Sequence, residues 1–151
     1  MLLILRRDVP VWVLPGGGIE PNEPPRDAVV REILEETGFT VKVVRLVGAY
    51  SPINRLAKET HLYECAIVKG EATTSSESKA VQFFPLNALP KMIPPPYPEW
   101  IQDTLSSGIG GPLIEKPLLG VTYGVLLKSF LSHPLLVIRF LLSRLGLTIN
   151  T

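Results

Sequence analysis

The sequence predicts an α/β fold, on three observations. Residues 24–37 carry the opening, the spacing and the stop of one helix. Short apolar runs at 2–7, 11–14, 41–47, 60–68 and 81–84 read as strands on either side of it. Joints rich in Gly, Pro, Ser or Thr, at 15–18, 48–52, 70–78 and 94–98, separate these runs.

Residues 2–7 stay apolar up to Arg6 and Arg7, as in a strand buried on both faces. Arg6 or Arg7 either meets a substrate phosphate or ends the strand in solvent. After a turn at 8–10, strand 11–14 carries Trp12, a pocket-lining or a core aromatic. Three glycines at 16–18 let the backbone approach a metal and a phosphate closely. Pro24 and Pro25 suit a helix opening, and Gly38 suits its left-handed stop. At about 100° per residue, Val29, Val30, Ile33, Leu34 and Thr37 share the side expected to pack, while Glu32, Glu35 and Glu36 cluster around Ala28, facing a cleft.

Strand 41–47 closes at 48–52. Strand 60–68 alternates, and His61 within it lacks a Cys or His partner at ligand spacing, so a structural or surface role is expected. Residues 70–78 are expected to be a mobile surface loop. After strand 81–84, prolines at 94–98 form a rigid spacer. Helix 99–105 turns Trp100, Ile101 and Leu105 inward, and 106–111 ends the unit, giving a domain at 1–110 and a tail at 111–151.

At 151 residues the chain suits one domain with a sizeable core. A net charge of +1 implies no strong nucleic-acid field, and no nucleic-acid partner is expected. Cys65 stands alone, which excludes an internal disulfide and fits a reducing, cytoplasmic compartment, and no signal peptide is expected ahead of residues 2–7.

The chemistry concentrates at residues 17–39. Like charges three and four residues apart each cost a helix about 0.2–0.5 kcal/mol, so stability does not favour Glu32, Glu35 and Glu36 together without a cation. Hard oxygen ligands at this density suit Mg²⁺ or Mn²⁺. Written as G-x5-E-x7-R-E-U-x-E-E-x-G-U, with U bulky and apolar, the pattern is met by Gly17, Glu23, Arg31, Glu32, Ile33, Glu35, Glu36, Gly38 and Phe39. Seven fixed positions coincide by chance about once in 10⁸ windows, so chance is set aside. The stretch resembles the Nudix box, and the likeness extends over about residues 2–105.

That resemblance implies an α/β/α sandwich with a mixed sheet, and metal-dependent hydrolysis of a small nucleoside diphosphate derivative: a nucleoside diphosphate sugar, ADP-ribose or a modified nucleotide. It implies Mg²⁺, or Mn²⁺, on Gly17, Glu32, Glu35 and Glu36, with Arg31 holding a box glutamate and Glu23 either orienting the loop or reaching the metal through water. Asn22 stands where the family usually has glycine, and it tolerates a left-handed backbone best after glycine. Glu77 resembles the loop glutamate that completes the metal site or takes the proton from water in some relatives, so the base is either one of the box glutamates, with Glu32 and Glu35 the catalytic candidates among them, or Glu77. Arg6, Arg7, Trp12 and Tyr50 are the candidate substrate contacts, Tyr50 because residues 48–52 are similar to segments in members acting on ADP-ribose or sugar nucleotides. The family usually has a further strand ahead of residues 2–7, so this chain is expected to lack the usual first strand.

Mean hydropathy is +0.26, and much of the excess follows residue 117. Residues 115–151 hold four basic side chains and one acidic one, and Pro134 interrupts the apolar run at 118–147. Lys128, Ser132, Arg139 and Ser143 share a helical face, which suits a membrane surface. Covering a sheet edge, joining a homodimer interface or being a foreign end are the alternatives. The competing functional reading is a non-catalytic nucleotide-binding module, peripheral to a membrane through this tail.

Overall fold

A computed structural model describes residues 1–144, with the side chains of 143 and 144 outside the description. The order is β1 (Leu2–Arg6), β2 (Trp12–Val13), α1 (Pro25–Thr37), β3 (Phe39–Ser51), β4 (Thr60–Gly70), β5 (Ser78–Phe83), α2 (Tyr97–Ser107), β6 (Ile114–Pro117), α3 (Tyr123–Ser132) and α4 (Pro134–Arg144).

One sheet runs β2-β1-β5, all antiparallel. β1 is its middle strand, so Leu3 and Ile4 are buried from both faces. The other runs β4-β3-β6, with β4 antiparallel and β6 parallel to β3, which makes it the expected mixed sheet. β3 is longer than its alternation implies. Residues 48–51, read in the sequence as a closing joint, stay extended because β6 pairs with all four while β4 pairs with 48–50 from the opposite side.

α1 ends as its glycine dictates: Gly38 takes φ 78° and its N–H donates to the Leu34 carbonyl at 2.9 Å. Ile33 joins Phe39 and Val41 in a cluster with Val29, Val30, Cys65 and Val81. The packed arc is nevertheless turned toward the acidic side. Ala28 and Glu36 are buried, whereas Leu34 is exposed. Leu105 on α2 also faces out, correcting the inward placement; Ile101 is buried, and Trp100 tilts on Tyr50.

The segment after residue 110 is built into the body. Beyond β6, Leu118 is buried and its N–H donates to the Ser51 carbonyl at 2.8 Å. Leu136 of α4 packs on the cluster of Ile4, Val9, Val11 and Val13. Pro134 separates α3 from α4, as the sequence requires. Residues 145–147 of the expected apolar segment lie outside the described residues.

Candidate active site

The glycine turn is laced onto α1 by the side chains of the box. The Gly16 N–H donates to Glu36 Oε2 at 2.8 Å, and the Gly18 carbonyl accepts from Arg31 Nη2 at 2.9 Å. At Gly17 a β-carbon would come within 2.5 Å of the Glu32 carboxyl, so a residue without one brings the turn against the helix. Asn22 takes φ 65°, the left-handed conformation expected of it.

Arg31 is the hub. Its Nε and Nη2 donate to the two oxygens of Glu23 at 2.8 and 2.9 Å, and its Nη1 reaches Glu32 at 3.0 Å and Glu35 at 3.3 Å. This fork, with the Glu20 N–H, holds the Glu23 carboxyl down at about 2. Glu23 therefore ties the loop to the helix, the orienting role implied by the resemblance.

Glu36 is the opposite case. It is 5% exposed, and burial pushes its pKa up to about 7. The Gly16 N–H opposes that shift, the charges of Glu32 and Glu77 add to it, and Arg6 lowers it.

Across from this helix face stands the loop before β5. Together they enclose a cavity of about 250 Å³ lined by Glu32, Glu35, Glu36, Ser75, Ser76 and Glu77. The loop, expected to be mobile, is pinned at this point. Ser78 donates to the Glu36 carbonyl at 2.7 Å, and Ser75 Oγ accepts from the N–H groups of Glu77 and Ser78, each at 3.1 Å. Ser75, Ser76 and Ser78 were not singled out in the sequence; the Ser/Thr cluster that contains them was the available signal.

The structure thus brings Glu32, Glu35, Glu36 and Glu77 together, with Gly17 beside Glu32 and Arg31 gripping two of the four. None of the candidate substrate contacts lines this cavity. Arg6 pairs with Asp8, and Arg7 donates to the Ser75 carbonyl at 3.0 Å. Trp12 lies edge-on to Phe84. Tyr50 is wholly buried, with its hydroxyl donating to Asp103 at 2.8 Å, so it is a core residue. A second cavity of about 460 Å³ lies at the β3–β6 pairing; Glu59 and Glu115 line it, and its Lys116 is already paired with Glu99 and Asp103.

The donor set fits a hard divalent cation: carboxylate oxygens, with the buried Glu36 carboxyl accepting from the Gly16 N–H and, among the described residues, bonded to no cationic side chain. Among the described residues no three such groups converge closely enough to hold an ion as they stand. Arg31 engages Glu32 and Glu35, so ion binding requires one or both to turn toward Glu36.

A glycine turn clamped to an acidic helix, facing a glutamate-bearing loop within an α/β fold, defines a class of hydrolase. The chain belongs to the Nudix family of pyrophosphate hydrolases; the family profile, described as the NUDIX domain, matches residues 1–104. It is similar to a Bacillus subtilis (strain 168) protein named "Putative 8-oxo-dGTP diphosphatase", at 36% identity over 104 residues, 68% of this chain and 69% of that one. It is 39% identical over 98 residues to a Methanocaldococcus jannaschii protein named ADP-ribose pyrophosphatase, covering 61% of this chain and 58% of the relative. A solved Streptococcus suis structure, titled an ADP-ribose pyrophosphatase, superposes with a TM-score of 0.62 at 26% identity, over 77% of this chain and 87% of that one.

Proposed function

We propose that this chain cleaves the diphosphate linkage of a small nucleoside diphosphate derivative, with Mg²⁺ as the cation and water attacking phosphorus. The substrates that fit are ADP-ribose, a nucleoside diphosphate sugar or a modified nucleotide. The observation that carries this reading is the cavity where Glu32, Glu35 and Glu36 of α1 face Glu77 of the opposite loop. The names of the relatives support the substrate class.

Glu32, Glu35, Glu36 and the Gly17 carbonyl are the groups that would hold the ion. Bound there, a divalent cation neutralises diphosphate oxygens and acidifies a water. The chain's own residues do the rest. Arg31 fixes Glu23, and through it the glycine turn, while restraining Glu32 and Glu35. Glu77 takes the proton of the attacking water, since it lines the cavity without being bonded to Arg31, which binds Glu23, Glu32 and Glu35.

The test is a panel of ADP-ribose, nucleoside diphosphate sugars and oxidised nucleoside triphosphates incubated with Mg²⁺ and either the wild-type chain or Glu35→Gln. Release of a nucleoside monophosphate by the wild type and its loss in the variant is the expected result. Binding of these nucleotides without release of product would instead establish a non-catalytic module.

A further inference from the structure

We infer that the α3–α4 hairpin is a docking surface for an anionic lipid bilayer, lying flat on it while the body carries the active site. Two observations carry this. The first is a stripe of apolar side chains facing away from the body: Tyr123, Leu127 and Leu131 on α3, then Leu135, Ile138 and Leu141 on α4. Leu131 and Leu135 are each 75% exposed, whereas Leu136 and Val137, one step round α4, pack inward. The hairpin is therefore anchored by one face and offers the other. Apolar patches of this kind on a folded chain mark sites that meet a partner or a membrane.

The second observation is charge. From residue 118 to the end there is no Asp or Glu, while Lys128, Arg139 and Arg144 are present. This one-signed segment settles which occupant fits. A symmetric pairing with a second copy sets the same patch against itself and brings like charges together. An anionic headgroup layer accepts both the charges and, beneath them, the apolar side chains. α3 and α4 have 10 and 11 residues, and among the described residues no helix is long and apolar enough to cross a membrane, so the hairpin lies on the surface.

The experiment is sedimentation of the full chain with vesicles of phosphatidylcholine alone and with 30 mol% phosphatidylserine, at low and high salt. Preferential binding to the phosphatidylserine vesicles, weakened by salt, is expected. Lys128→Glu, which reverses one charge, should weaken binding about 25-fold, at about fivefold per unit charge. Leu131→Glu with Leu135→Glu should abolish it, with far-ultraviolet circular dichroism unchanged because both positions are exposed. Absence of binding to the anionic vesicles, or equal binding to both kinds, overturns the inference. So does a dimer in analytical ultracentrifugation that the Leu131→Glu, Leu135→Glu variant converts to monomer without any vesicle binding by the wild type.

Discussion

The box helix and the C-terminal hairpin are opposite solutions to placing side chains against their preference. In α1 a carboxylate, Glu36, is buried and carries a raised pKa, and hydrogen bonds from other parts of the chain lock its surroundings. In α3–α4 leucines are left in water, and neither Lys128 nor Arg139 is buried. Burying a charge or exposing a row of apolar side chains each costs free energy, so each marks where a missing partner would act. For α1 the proposed partner is a cation with a diphosphate; for the hairpin the proposed partner is a membrane surface. The family match covers 1–104 and ends before β6, which places the first solution in the shared domain and the second outside the matched stretch.

The sharpest break of the comparison is Glu77→Gln. As the base it should lower kcat by about 10²–10⁴-fold with KM little changed, measured on whichever nucleotide the wild type hydrolyses. A fall of less than threefold removes Glu77 from that role.

Next is the pH dependence of the cation-free protein. The folded pKa of Glu36, about 7, lies above its ordinary value of 4.5. Its contribution is therefore fully present below pH 4.5 and is lost as the pH rises through 7, about 3 kcal/mol in all. Thermal melts in chelator from pH 4.5 to 8 should show that loss, and Glu36→Gln should flatten it. Identical slopes in the two proteins would show that Glu36 titrates normally.

Arg31→Ala comes third. Without its grip on Glu23, Glu32 and Glu35, affinity for the divalent ion should fall about 10–100-fold, read as a shift in the Mg²⁺ concentration for half-maximal rate. The smallest effect belongs to the other region. Leu135→Glu should leave stability within about 0.5 kcal/mol by urea unfolding, since the side chain is 75% exposed. A larger loss would mean the hairpin's outer face is part of the core.

The limits of α1 were legible because their causes are local: Pro24 and Pro25 open it, Gly38 closes it, and both signals lie in the sequence itself. The four carboxylates were legible because the box fixes three by spacing and the segment before β5 fixes the fourth. Which side of α1 is buried was not, because Glu36 is held by Gly16 and Ser78, 20 and 42 residues away. The surroundings of Arg7 and Tyr50 were not legible for the same reason. Their partners, the Ser75 carbonyl and Asp103, stand 68 and 53 residues away, and no pattern within a short window records such pairings. Similarly, β3 could not be seen to run to Ser51 until β6 arrived beside it.

The central claim is that Glu32, Glu35 and Glu36, facing Glu77, form a site for a divalent cation. Mn²⁺ titration followed by electron paramagnetic resonance, with wild type beside Glu35→Gln and Glu36→Gln, tests it without reference to substrate. Saturable binding in the wild type, weakened at least tenfold in each variant, is the predicted result. Wild-type binding no tighter than that of the two variants would contradict it.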